Sequence, residues 1–419
     1  MKILIVGSGG REHAIAWNIS QNKDVEKIYV APGNGGTQLE NKCENLDITE
    51  IEKLADFAIE NEIALTIVGP EVPLVDGIVD LFKKRNLKIF GPSKAAAQLE
   101  GSKSFAKKFA EKYGIRSAEY KVFNDRKKAI EYVQRCEYPV VVKADGLAAG
   151  KGVIICESVT EAVEAIDKLM VLDIFHGAGL EIVVEEFLEG VEASILSITD
   201  GKTIIPFISS KDHKQIFDGD KGPNTGGMGV IAPNFYCDDE VLKAFEEDVM
   251  KNTLVGIKEE KMDFVGTIFF GLMITKKGVY LLEYNVRMGD PETQAVLSLM
   301  ESDYLNLMMK AVDGKLETCE VKWKEKHACC VNGVSKGYPG TYEKGYEILG
   351  IDKVDSKVFI CGAKYNDGKL KTSGGRVLSV VALGESLEEA REKAYKDLQN
   401  IHFDGMHYRK DIGLKKNFN

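Results

Sequence analysis

No run in this chain approaches the roughly 20 apolar residues that cross a bilayer as a helix. The N-terminus, MKILIVGSGGREHAIAW, has only a short apolar stretch before its glycines, so it reads as a first β-strand and not as a secretory signal. The eight cysteines, at 43, 136, 156, 237, 319, 329, 330 and 361, lack any C-x-x-C spacing, and only 329 and 330 adjoin. That spacing argues against a zinc or redox motif and for free thiols in a reducing cytoplasm. Excess positive charge is also missing. The formal net charge is −10, which excludes a broad nucleic-acid surface but leaves room for a local basic pocket around a small phosphorylated ligand. Repeats and low-complexity segments are absent.

The composition that remains is that of a globular protein: 44% apolar and 29% charged residues over 419 positions, enough for about three domains. Over residues 1–92 strands alternate with helices. KILIVG, KIYVAPGN, ALTIVGPE and KIFGPS read as strands, with helical GREHAIAWNISQN, ITEIEKLADFAIENE and LVDGIVDLFKKRN between them. This rhythm predicts a doubly wound parallel sheet. Glycine, proline, asparagine and glutamate fill the turns at the strand C-terminal ends, the edge where open α/β sheets bind ligands. The first turn invites a dinucleotide reading, which fails twice. Glu12 stands where the third fingerprint glycine belongs, and the second strand ends in VAPGN, with no acidic residue for a ribose. What survives is the expectation that backbone N–H groups at a helix N-terminus face an anion.

The middle of the chain predicts an α+β arrangement with antiparallel strands. SKAAAQLEGSKSFAKKFAEKYG is read as helical, and YPVVVKADGLAAGKGVIICES as strand, glycine turn, strand. The stretch VVVKADGLAAGKGV resembles a phosphate loop, but Gly146 and Gly150 are too close together and Gly152, not Ser or Thr, follows Lys151. Lys143 ends an apolar strand, where its charge is costly without an anion. Glycines 146, 150 and 152 let the loop fold close over a ligand. Downstream, Glu185 and Glu186 end another apolar strand, and Glu192 follows. The segment 209–230 is read as a long polar loop, with Asp212 and Asn224 as candidates to hold a substrate amine and His213 as a weak acid–base candidate.

In GLMITKKGVYLLEYNVRMGDPETQ two apolar strands flank Lys276-Lys277-Gly278, a hairpin signal. Residues i, i+2 and i+4 of a strand share a face, so Glu283, Asn285 and Arg287 project together. A carboxylate and a carboxamide oxygen suit a hard cation such as Mg²⁺, and the arginine suits phosphoryl charge. The alternative is an exposed polar strand face. Residues 326–419 predict a small strand-rich domain.

Taken in order, GSGGREHA, APGNGGT, TIVGPEVPLVDGIVD, AAQLEGSK, VVKADGLAAGKGV, DHK, GPNTGGMG, EYNVRMGDPETQ and GGRVLSV resemble the glycinamide ribonucleotide synthetase family of the ATP-grasp superfamily, along essentially the whole chain. The resemblance implies an N-terminal domain (1–100), an ATP-grasp domain (101–325, with a lid subdomain near 121–190) and a C-terminal α+β domain (326–419). It implies ATP contacts at Lys103, Lys143, the loop Gly146–Gly152, Glu185, Glu186, Leu188 and Glu192, and Mg²⁺ or Mn²⁺ at Glu283 and Asn285. Gly9, Gly10, Asn34 and Glu71 would serve phosphoribosylamine. Asp212 and Asn224 would serve glycine, and Arg287, Lys143 and Asp212 catalysis. The expected partners are small molecules only, and the expected state is a monomer with a dimer as alternative. Two departures stand out: FHGAG near 175–179 and SKGYPG at 335–340. Another ATP-grasp ligase and a nucleotide-binding regulator without turnover are the rival readings.

Overall fold

The computed structural model describes residues 1–148, 152–172 and 177–415. Strands β1 (Lys2–Gly7), β2 (Lys27–Pro32), β3 (Cys43–Asn45), β4 (Leu65–Val68) and β5 (Ile89–Pro92) form a parallel sheet in the order β5-β4-β1-β2-β3. The period of two along β1 decides which core each residue joins. Leu4 and Val6 pack with Leu54 and Phe82 of the helices on one face. Ile3 and Ile5 pack with Ile15 and Ile19 on the other. Each such side chain, fully buried, contributes about 1.5–3 kcal/mol, so the doubly wound arrangement follows from strands that are apolar on both faces.

Strands β6 (Tyr120–Phe123), β7 (Val140–Ala144), β8 (Val153–Cys156) and β9 (Ile182–Glu186) make a separate antiparallel sheet, β6-β9-β7-β8. It has its own core, in which Val140, Val142 and Val184 meet Ile166 and Leu169 of the helix Val159–Met170. Ser158 caps that helix by accepting from the Glu161 N–H.

Then come β10 (Val191–Thr199), β11 (Ile204–Pro206), β12 (Lys211–Asp212), β13 (Gln215–Phe217), β14 (Lys221–Asn224) and β15 (Gly229–Ala232), followed by the hairpin β16 (Phe264–Thr275) and β17 (Gly278–Asn285). Gly278 has φ +123°, a conformation that favours glycine. β16 pairs with β10, β17 and β5, and so joins the parallel N-terminal sheet to antiparallel neighbours in one nine-stranded sheet. The last region adds β18 (His327–Ser335), β19 (Lys357–Ile360), the short hairpin β20 (Ala363–Asn366) and β21 (Lys369–Thr372), and β22 (Arg376–Gly384), with the helix Leu387–Leu398 packed on β18 and β22.

Two expectations change. The helical stretch after residue 93 is broken at Ser102, which is extended and caps the helix Lys103–Lys112 by accepting from the Phe105 N–H. The segment 209–230 is strand-rich and not a loop: β13 pairs with β14 and β12 with β15, and β15 in turn pairs with the distant β18 in the order β12-β15-β18-β22-β19. This sheet also crosses the linear limit expected near residue 325. Among the described residues no helix is long and apolar enough to cross a membrane.

Candidate active site

A cleft of about 350 Å³ opens between the central sheet, the four-stranded sheet and the last region. Its lining includes Lys103, Lys143, Gly152, Glu185, Glu192, Asp212, Glu283, Asn285, Arg287 and Glu71. Residues drawn from six distant stretches of sequence therefore converge on one wall system.

The end of β17 presents its polar residues through a bulge. Gly271 pairs with Glu283 but Leu272 pairs with Leu281, leaving Leu282 as an extra residue. Val279 and Leu281 before the bulge, and Tyr284 and Val286 after it, all join the same core cluster. Without the extra residue, Glu283 would follow Val279 and Leu281 into that core. With it, Glu283, Asn285 and Arg287 line the cleft. Burial opposes ionisation of Glu283, but Lys214, Lys103, Lys143 and Arg287 outweigh it and hold the carboxyl below its ordinary value. Arg287 donates to Asn285 Oδ1 at 3.1 Å and pairs with Glu71 at 3.3 Å and Glu100 at 2.8 Å. Glu100 in turn accepts from the Val286 N–H at 2.7 Å. The arginine is thus held from both sides, as a group that must meet substrate charge at a fixed place requires.

On the opposite wall one carboxylate bridges two buried lysines. Glu185 Oε2 lies 2.9 Å from Lys143 Nζ and 3.1 Å from Lys107 Nζ. Burial, together with the neighbouring Lys143, holds Lys107 below its ordinary pKa despite Glu185. The other oxygen, Glu185 Oε1, is buried without a hydrogen-bond partner among the described residues. With Lys103 beside them, these groups leave positive charge and one orphaned acceptor on the wall, which suits a polyphosphate and a donor group of the same ligand. Glu192 is paired with Lys214 at 2.6 Å.

At the far end of the cleft Asp212 faces Glu292. Burial first, and then Glu292, push the Asp212 carboxyl well above the usual range, against Lys214 and Arg376. His213 turns away: Nδ1 lies 3.1 Å from the Gly229 carbonyl and Nε2 accepts from the Gly413 N–H at 3.2 Å. Burial lowers its pKa to about 3.

Other expected site residues lie outside the lining. Gly9 and Gly10 sit in the first turn, where the chain itself meets two of the backbone donors. Glu12 accepts from the Gly9 N–H at 2.5 Å, and Asp290 accepts from the Arg11 N–H at 3.3 Å. Two carboxylates of the chain itself thus stand at this helix N-terminus. Asn34 spends its amide on Ser8, Gly9 and Ile360 carbonyls and its oxygen on the Gly36 and Thr37 N–H groups. Gly146 packs on Ala178, Glu186 is exposed and accepts from the Glu119 N–H, and Leu188 is half-buried. Asn224 lies at a separate groove beside β8. Gly150 falls outside the described residues, as do Phe175 and His176 of the FHGAG departure.

Sequence reasoning missed Lys107, Lys214, Glu100, Glu292, Arg11 and Arg376 as parts of the cleft. Lys107 was detectable, since it follows Lys103 by four residues and shares its helix face. Arg376 was not, because its place depends on long-range strand pairing.

Comparison with known proteins now decides the family. Residues 1–100, 101–293 and 328–415 match the N, ATP-grasp (A) and C domains of phosphoribosylglycinamide synthetase. A phosphoribosylamine–glycine ligase of Clostridium acetobutylicum is 63% identical over 416 residues, 99% of this chain and 100% of the relative. The chain belongs to the phosphoribosylglycinamide synthetase family. It is a ligase of the ATP-grasp class, which uses ATP. The crystal structure of phosphoribosylamine–glycine ligase from Thermotoga maritima superposes with a TM-score of 0.87 at 36% identity, covering 99% of this chain and 100% of that one. A biotin carboxylase domain of Hydrogenobacter thermophilus 2-oxoglutarate carboxylase, at 14% identity and a TM-score of 0.72, covers 97% of this chain and 91% of that one and shares the fold.

Proposed function

We propose that this chain joins glycine to 5-phosphoribosylamine, giving glycinamide ribonucleotide, ADP and phosphate in purine biosynthesis. The observation that carries the reading is full-length similarity to phosphoribosylamine–glycine ligases, combined with a cleft that sets lysines and Arg287 around Glu283 and Asn285.

The chemistry proceeds in two steps. A glycine carboxylate oxygen attacks the γ-phosphorus of ATP, the bond to the β–γ bridging oxygen breaks, and ADP leaves. The amine of phosphoribosylamine then attacks the acyl carbon of glycyl phosphate, loses a proton, and phosphate departs. Lys103, Lys107 and Lys143 hold the polyphosphate and neutralise its charge, while Glu185 fixes two of those lysines in place. Arg287, braced by Glu71 and Glu100, faces the oxygens of the group in transit. Asp212 and Glu292 take the amino end of glycine. Catalysis is mostly positioning and charge neutralisation, since no covalent enzyme intermediate is needed. Glu283 and Asn285 offer oxygen donors that fit a hard divalent cation, Mg²⁺ or Mn²⁺, and when bound it screens the phosphate oxygens. Exclusion of water from the acyl phosphate is required by the chemistry, and the glycine loop expected to supply it includes residues 149–151, outside the described residues. The first turn, through Gly9, Gly10 and Asn34, shapes the phosphoribosylamine side. A cytoplasmic, monomeric enzyme belongs to the same proposal, in keeping with eight free thiols.

The test is phosphate and ADP release with ATP, Mg²⁺, glycine and freshly prepared phosphoribosylamine. Release requires both co-substrates. Release that continues unchanged without glycine points instead to a ligase for another carboxylate.

A further inference from the structure

The last region of the chain reaches the cleft through a bulge of its own. Along β18 and β22, Gly333 pairs with Leu378 but Val334 pairs with Arg376, leaving Val377 as the extra residue. Val377 and Leu378 are consecutive yet both fully buried, and Arg376 is left lining the cleft. A bulge re-aims a side chain in this way.

Arg376 then ties two walls together. Its Nη1 donates to the Gly226 carbonyl and, at 2.6 Å, to the Asp290 carbonyl, and its Nη2 lies 3.1 Å from Asp290 Oδ1. The Gly226 N–H donates to Tyr338 Oη at 2.9 Å. One residue on, Asn332 donates to the Gly227 carbonyl at 2.8 Å. The Gly226 N–H and the carbonyls of Gly226 and Gly227 are therefore all gripped by side chains of the last region. Gly227 has φ +111°, and a Cβ there would stand 2.7 Å from Asp212 Oδ1. The grip on this segment therefore sets how closely Asp212 is approached.

We propose that Arg376 is a positioning residue for the amino-acid end of the cleft. By clamping Gly226 to Asp290 it sets the wall against which Asp212 and Glu292 receive the substrate amine. This rests on the ligase reading above, and it gives the last region a direct part in amino-acid recognition. A lysine cannot replace the arginine, because a single ammonium does not span carbonyl, carbonyl and carboxylate with a planar fork.

The experiment compares the unaltered chain with Arg376→Ala and Arg376→Lys. It measures kcat, KM for glycine, KM for ATP, the thermal midpoint, and rescue by added guanidinium. The expected result is a rise of about 10- to 100-fold in KM for glycine in both variants, from lost charge-assisted hydrogen bonds. KM for ATP stays within about twofold, and guanidinium restores part of the loss in the alanine variant only. Unchanged KM for glycine in Arg376→Ala overturns the inference while leaving the ligase reading intact. So does an equal loss for both substrates that tracks the fall in thermal midpoint, which marks a purely structural arginine. If the unaltered chain shows no glycine-dependent turnover, the ligase reading fails and this inference with it.

Discussion

The first turn after β1 and the end of β17 are built from the same materials. Each sets glycine, arginine and carboxylate at the C-terminal end of a strand, and the two meet where Arg11 donates to the Met288 carbonyl at 2.9 Å. In the first turn the charges cancel locally. Arg11 pairs with Glu12 at 2.6 Å, and Glu12 also takes the Gly9 N–H. At the end of β17 they do not. Glu283 faces three lysines and an arginine across an open cleft, and Glu185 Oε1 on the facing wall has no partner among the described residues. A glycine-rich turn by itself therefore does not show where charge is left open to a ligand. Charge left unsettled in a concave place is the better guide.

The comparison breaks most decisively at Glu283. Glu283→Ala is expected to lower kcat by about 1,000-fold, since several kcal/mol of charge stabilisation go with the carboxylate. Its thermal midpoint should hold to within a few degrees. A variant that unfolds instead would place Glu283 among structural residues like Glu12.

Glu12→Gln should show the reverse pattern. Removing the charge strands a buried arginine, at a cost of about 3 kcal/mol, read as a lower urea midpoint at unchanged slope. Turnover per folded molecule should fall far less than for Glu283→Ala. Equal losses in the two variants would erase the distinction.

Lys107→Met sharpens the opposite wall. Loss of one of two lysines on Glu185 should raise KM for ATP by about tenfold, with KM for glycine little changed. Activity assays across nucleotide concentrations decide it.

The smallest effect concerns pH. His213 is held at about 3 by burial, below its unfolded value of about 6.5. The unfolded chain therefore binds a proton that the native chain refuses. Stability is full above about pH 6.5 and falls by up to about 1.4 kcal/mol per unit as pH drops towards 3. Urea titrations from pH 7 to 5 should show a shallower fall in His213→Gln, with kcat against pH unmoved. A shifted kcat profile would make His213 part of the chemistry.

Much of this was legible without coordinates. The apolar strands of residues 1–92 force helices onto both faces, so the doubly wound sheet followed from local pattern. Lys276-Lys277-Gly278 marked its hairpin, and the alternation of Glu283, Asn285 and Arg287 put them on one face. Which face they took was another matter. Strict alternation from Val279 would have sent Glu283 into the core, and only the pairing of β17 with β16 shows the extra residue at Leu282 that prevents it. The segment 209–230 looked like a loop because its strands are short and most are polar, and β18, the strand that draws β15 into a sheet, lies about a hundred residues later.

What the sequence determined alone is periodicity and local chemistry: which stretches are apolar on one face or two, where glycine permits a turn, and which charged groups lie within a few positions of each other. The tertiary structure decided which charges are cancelled and which stay exposed to a ligand. It matched Glu100 to Arg287 and Arg376 to Gly226. Such pairings depend on strand register between distant segments, and a one-residue bulge in that register reverses the side a residue faces.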